Sequence, residues 1–384
     1  MISHAFLDGA AEPLDRQRLD AALARITAGA DALDRHPAFP YAAFDDLASA
    51  GVLGATMPGP SGPSTTFADQ LHLVREVSRA DGSVGRILDG HFNAIERLTM
   101  ACPGTLEEGE RAQIAVGELL LGVWGADPTP GEGEPARLRD EGGVRTLQGV
   151  KTFCSGAGGV PRALVVARDD AGERRLVYVD TASERTSVDH SWYRGEGLRA
   201  SESHRVEFDG APVLAVLGGP GEASRDPWFS RDAIRTSATW AGIADSVLEA
   251  ALAFLHDRGA PNDIAALAAG QMRVALGTID RWLGHAAAHA DATDAPDGAG
   301  APPAGAPLAA TPLAATAIEA RWAIAEAARE LAAHAALACG SRPLATGGAL
   351  SRGRRDLDLF LLQHRLEPML ARHGAAAIAE GQGR

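Results

Sequence analysis

The sequence predicts an α+β chain of three parts: an N-terminal helical domain, a central antiparallel β-barrel or sandwich, and a C-terminal four-helix bundle. Two changes of texture carry that expectation. Apolar residues recur near i, i+3, i+4 and i+7 up to about residue 116; short alternating or β-branched runs replace them to about 216; long alanine-rich stretches follow from 228. The third observation is length, since 384 residues suffice for two or three cores. The implied domains are 1–116, 117–226 and 227–384.

In the first part, "DRQRLDAALARITAGADAL", "PYAAFDDLASAG", "TFADQLHLVREVSRA" and "GSVGRILDGHFNAIERL" each keep the helical period, with Gly51, the prolines from Pro58 to Pro63, and Pro103-Gly104 as breaks. The middle part offers "LLLGVWG", "VRTLQGVKTFCS", "ALVVAR", "RLVYVD", "HRVEF" and "APVLAVL" as strands. Turns at Asp140-Glu-Gly-Gly, Asp169-Asp-Ala-Gly and Asp209-Gly separate them. Helices are expected at about 228–257, 263–290, 313–339 and 354–373, with the Pro-, Gly- and Ala-rich run "DATDAPDGAGAPPAGAPLAATP" as a mobile connection.

A formal charge of −14 argues against nucleic acid as a partner, because phosphate neutralisation needs a basic face. The first 20 residues lack a basic start and an apolar segment, and no run of 18 uninterrupted apolar residues occurs, so a cytoplasmic protein without membrane contact is expected. Cys102, Cys154 and Cys339 form no C-x-x-C pair and are expected reduced and mostly buried. His285 and His289 stand four apart on a helix but lack a third ligand at recognisable spacing, so no metal site is expected.

The glycine cluster in "GVKTFCSGAGGVPRALVVAR" is not a dinucleotide fingerprint. Such a fingerprint opens a helix whose N-terminus faces the pyrophosphate, whereas here a β-branched run follows, placing the glycines between two strands.

Layout and motifs together resemble the acyl-CoA dehydrogenase superfamily of flavoproteins. The resemblance runs in order through "LASAGVLGATMP", "SRADGSVGRILDGH", "LQGVKTFCSGAGGVPRALVVAR", "GLRASESHRVEFDGAPV", "IRTSATWAGIADSVLEAALAFLHDR" and "LSRGRRDLDLFLLQHRL", and covers essentially the whole chain. It implies FAD, with FMN as the alternative, and a homotetramer or homodimer. By resemblance Phe153 packs beside the isoalloxazine and Ser155 bonds flavin polar atoms; Arg258 reaches the pyrophosphate, a task suited to a planar guanidinium. In the earlier flavin strand, "VWGADP", Trp124 sits one place from the family's aromatic position, and Ala126 replaces a hydroxyl that approaches flavin N5. The adenine-side run is "LACGSRPLATGG", with Leu337 at a glutamine position.

Oxidation of an acyl thioester needs a carboxylate to remove the α-proton. Neither place at which the family keeps its glutamate holds one: counting puts His364 at the first and Asp232 at the second. His91, in "ILDGHF", resembles a histidine of the dibenzothiophene monooxygenase type; that type and the sugar N-oxygenases share the fold and also lack the glutamate. The first reading is therefore an FAD-dependent oxidoreductase of the acyl-CoA dehydrogenase type, oxidising an acyl thioester or acyl-like small molecule with a noncanonical base, with Asp232, His364 and His91 as catalytic candidates. The alternatives are a monooxygenase using reduced flavin and O₂, and an inactive assembly subunit.

Overall fold

The computed structural model describes residues 14–59, 62–63, 65–259, 262–293, 311–363 and 365–382. Helix α1 (Arg16–Arg35) starts at Asp15, whose carboxylate accepts the Arg18 N–H at 3.1 Å, and it buries Leu19, Ala22, Ile26 and Ala30 along one stripe. Helix α2 (Tyr41–Ser49) packs beside it. After the two-residue strands β1 (Pro58–Gly59) and β2 (Gly62–Pro63), Thr66 and Asp69 close a capping box on α3 (Phe67–Ala80). Asp81 caps α4 (Gly82–Glu96) by accepting from the Ser83 and Val84 amides, and every residue of α4 is buried. Helix α4 continues into a π-helical turn, Arg97–Ala101, and α5 (Glu108–Ala115), which periodicity did not single out, closes the segment.

Strands β3 (Leu121–Trp124), β4 (Arg137–Glu141), β5 (Val144–Cys154), β6 (Arg162–Arg168), β7 (Arg174–Asp180), β8 (Thr186–Asp189) and β9 (His204–Leu217) form one sheet. Its pairings run β6–β4–β5–β9–β7 and return to β6. The sheet is mixed rather than antiparallel, because β5 carries the chain back to its starting end and leaves both β3 and β4 parallel to β6. A second difference lies at Asp209-Gly. The chain does not turn there: Gln148 faces Asp209 and Leu147 faces Ala211, so Gly210, at φ +80°, is bulged out of a continuous β9.

The C-terminal helices are α6 (Trp228–Asp257), α7 (Asp263–Thr293), α8 (Pro312–Cys339), the short α9 (Ser341–Thr346), α10 (Ala349–Phe360) and α11 (Glu367–Gln382). The single helix expected over about 354–373 is thus two. Pro368, second residue of α11, has no N–H to give and its ring clashes with a helical carbonyl four residues earlier, so one helix cannot run through. By length and apolarity α6 could cross a membrane, but 56% of its apolar window is buried in the protein. It crosses α3 closely at Gly242, where a Cβ would stand 2.2 Å from the Arg75 carbonyl oxygen. One apolar core runs from α1–α4 across Val165, Val177 and Phe208 of the sheet to Trp240, Ile324 and Phe360 of the helical layer. The expected connection falls largely at 294–310, outside the described residues.

Candidate active site

The glycine-flanked strand owes its shape to a second bulge. Lys151 faces Val206 and Cys154 faces His204, so Thr152 and Phe153 together oppose Arg205 alone. The extra residue throws Phe153 outward at φ +52° and leaves it 49% exposed. Trp192 meets its ring edge-on at 4.9 Å, and the Trp192 indole donates to Glu132 at 3.0 Å. A flat apolar face is thereby held at the surface. Beside it the Ser155 hydroxyl lies 2.9 Å from that of Ser203, which lies 2.7 Å from that of Ser201.

Lys151 fixes the neighbouring turn. Its fully buried ammonium donates to the Gly125 carbonyl at 2.9 Å, the Val166 carbonyl at 2.8 Å and the Asp127 carboxylate at 2.7 Å, which holds exposed Gly125, Ala126 and Asp127 against β5. Ala126 offers only backbone, and its carbonyl accepts from the Thr152 amide at 3.1 Å. Trp124 is not at the surface: it is 1% exposed, packs 6.4 Å from Phe208, and donates its indole N–H to the Ser155 carbonyl at 3.0 Å. Its expected contact with a cofactor is corrected to positioning of Ser155 from behind. An aromatic wall, a hydroxyl ladder and open backbone fit an isoalloxazine ring, which needs a flat face and a few fixed polar atoms. Arg258 stands exposed at the C-terminal end of α6, its guanidinium 5.6 Å over the Phe254 ring.

The catalytic candidates separate. His91 is fully buried, with Nε2 3.0 Å from the Leu53 carbonyl and Nδ1 accepting the Leu121 amide at 3.1 Å. Both nitrogens are engaged, and burial pushes its pKa down to about 4. It is a neutral tie between α4, β3 and the turn before β1, so a proton-transfer role is corrected to a structural one. His364 lies outside the described residues.

Asp232 sits early in α6, with Oδ2 held by Arg97 at 2.7 and 3.1 Å while Oδ1 has no hydrogen-bond partner. Burial raises its pKa to about 6, Glu96 adding to the rise and Arg97 and Arg235 opposing it. It belongs to a buried polar seam between α4 and α6. There Arg231 donates to Glu96 at 2.6 Å, Arg235 to Gln70 at 2.9 Å and to Asn93, and Arg86 and Thr236 reach Asp89 at 2.6 and 3.1 Å.

No protein-family profile matches the chain. It is similar to the amino sugar nitrososynthase RubN8 of Streptomyces rubradiris, 33% identical over 262 residues, 63% of this chain and 61% of that protein. The solved nitrososynthase from Micromonospora carbonacea var. africana superposes with a TM-score of 0.77 at 25% identity, covering 95% of this chain and 98% of that one. These likenesses support the resemblance to the acyl-CoA dehydrogenase superfamily of flavoproteins. The fold is shared as well by FMN-bound TdsC from Paenibacillus sp. A11-2, with a TM-score of 0.79 at 18% identity over 94% of this chain and 96% of that one. Against RubN8 the match spans less than two thirds of either length.

The strand motif proposed Phe153 and Ser155 as cofactor residues and did not name Lys151, Trp192 or Ser203, which the structure places around them. Lys151 was visible inside the quoted motif "GVKTF", where a lysine between buried strand positions signals a paired charge.

Proposed function

We propose that the protein is a flavin-dependent monooxygenase that uses reduced FMN and O₂ to place one oxygen atom on a small polar substrate, the other leaving as water. The observation that carries this reading is the setting of Asp232. Abstraction of an acyl α-proton calls for a carboxylate facing an apolar chain, whereas this one is held by Arg97 in a seam of arginines, acids and amides. The similarity to nitrososynthases makes the nitrogen of an amino sugar the first reacting atom to test. FMN is favoured over FAD because Leu337, at the adenine-side position, is apolar and 81% exposed.

Bound reduced FMN supplies the electrons and activates the oxygen. Phe153 would provide the wall for its ring and Ser155 a hydroxyl for its polar edge, with Arg258 placed for the phosphate of a flavin bound at a neighbouring copy. Asp232 is assigned proton exchange with the substrate heteroatom, since its pKa near 6 and an Oδ1 that makes no hydrogen bond, with Arg235 only at 3.8 Å, suit an acid–base group at neutral pH. Assembly as a homotetramer or homodimer is part of this proposal, supported by Ile264, Leu267 and Val274, which are 76, 63 and 72% exposed along α7. A monomer by light scattering at micromolar concentration would refute the assembly.

The enzymatic test has two arms. Without oxygen, short- and long-chain acyl-CoAs should leave the spectrum of bound flavin unchanged. With reduced FMN supplied in air, an amino-sugar nucleotide should gain oxygen by mass spectrometry, at a rate that rises with pH through about 6 as Asp232 ionises. Asp232→Asn should lower turnover at least about 100-fold with flavin affinity kept. Anaerobic bleaching by acyl-CoA would sink the monooxygenase reading, and absence of any turnover in a flavin-loaded protein would favour an assembly subunit.

A further inference from the structure

An open cleft of about 1140 Å³ lies between the Pro37–Tyr41 turn, the loop that follows β8, the start of β9 and the start of α10. Its wall carries His190, Glu202 and His204. We propose that these three side chains bind a divalent transition-metal ion of the zinc class.

His190 Nδ1 is 3.4 Å and His204 Nε2 3.2 Å from the same oxygen, Glu202 Oε2, and all three ligand atoms fall within 4.8 Å of one another. Tetrahedral zinc with bonds of roughly 2.0–2.1 Å spaces its ligand atoms about 3.3 Å apart, which the two measured separations bracket. Two imidazoles and one carboxylate are the donor set of several catalytic zinc sites, and a fourth position stays open to solvent or an anion. Here all three ligands line the cleft, so that position has room beside them.

The framework supports the ligands unequally. His204 and Glu202 are 5% and 9% exposed, set by β9 and the turn before it, whereas His190 closes the triad from the exposed loop. Glu202 holds φ at +47°, a left-handed conformation that disfavours a side chain with a Cβ, and such strain gathers where a side chain must be aimed. His204 Nδ1 is buried without a hydrogen-bond partner, so this ring has its one bonding partner on the cluster side. A ring nitrogen in either contact can donate an N–H to the carboxylate, and a metal ion held there would take the place of those protons. Among the described residues no other His, Cys, Asp and Glu group meets the same spacing.

The test uses full-length, tag-free protein stripped with a chelator and titrated with zinc chloride by calorimetry. One zinc per chain is expected at micromolar affinity or tighter. Glu202→Gln and His190→Ala should each weaken it by more than the roughly 10–100-fold that loss of an outer-shell partner costs, while His285→Ala leaves it unchanged. His190 is exposed, so its removal spares the fold, and circular dichroism checks this. Absence of micromolar zinc binding in the wild type, or wild-type affinity in either variant, would overturn the site and leave the three side chains as a hydrogen-bonded cluster.

Discussion

The β5–β9 edge and the interior of α4 both carry residues that resemble flavin-enzyme machinery, yet their physical states are opposite. At the edge a bulge holds Phe153 in the left-handed region, half exposed, with serine hydroxyls beside it. Inside α4 His91 has no exposure and both ring nitrogens are occupied. Strain and exposure persist only where something other than the protein's own packing makes use of them, and saturation of every polar atom marks a structural residue. The contrast teaches that position in a motif selects candidates, while hydrogen-bond accounting sorts them.

Breaking the support of the open edge should have the largest effect. Lys151→Met removes the donor to the Gly125 and Val166 carbonyls and leaves Asp127 only the longer contact with Arg168 at 3.6 Å, so destabilisation of about 3 kcal/mol in urea unfolding is expected, together with loss of flavin binding. Unchanged flavin affinity in a folded Lys151→Met protein would separate the 125–127 turn from the cofactor.

The sealed region should respond differently. His91→Phe removes a donor and an acceptor from buried backbone partners and should cost about 2 kcal/mol, with flavin affinity retained. Its pH signature sharpens the distinction. The folded pKa, about 4, lies below the ordinary 6.5, so the unfolded chain binds the proton first. The stability His91 contributes is therefore present above about pH 6.5 and is lost as pH falls toward 4, by about 3 kcal/mol in full. In His91→Phe this part of the acid sensitivity should vanish.

The smallest change in stability belongs to the open edge itself. Phe153→Ala with Ser155→Ala should leave the urea midpoint within about 0.5 kcal/mol, because Phe153 is exposed and the Ser155 hydroxyl bonds only other hydroxyls. Flavin affinity should nevertheless fall about tenfold or more, the equivalent of roughly 1.4 kcal/mol. Equal affinities by fluorescence titration would remove these two residues from the cofactor site.

Much of the fold was legible because its signals are periodic. The long helices α6, α7 and α8 lie within a few residues of the expected limits, since an alanine-rich stripe repeats over many turns. The misses share a different cause. Strand β4 is mostly exposed and β8 is only four residues long, so neither has an apolar alternation to read. Gly210 carries the composition of a turn, but tertiary pairing on both sides of it turned that signal into a bulge. The break before α11 was encoded by Pro368 and was overridden in the reading by the apolar period around it. At the site, Phe153 and Ser155 were visible as residue types in order. That Trp124 and His91 are consumed by backbone partners was not, because those partners, at Ser155, Leu53 and Leu121, are distant in sequence.

The bulge between Lys151 and Cys154 has a meaning for alignment as well as for geometry. Deleting one residue there would restore the pairing register with β9 and return the strand to simple alternation, so that a single gap, leaving composition almost untouched, would draw the aromatic ring back from the surface. When chains of this fold are compared, that one column therefore reports whether the strand can present a wall to a ring, and residue identity at Phe153 has meaning only after the length of the segment has been matched.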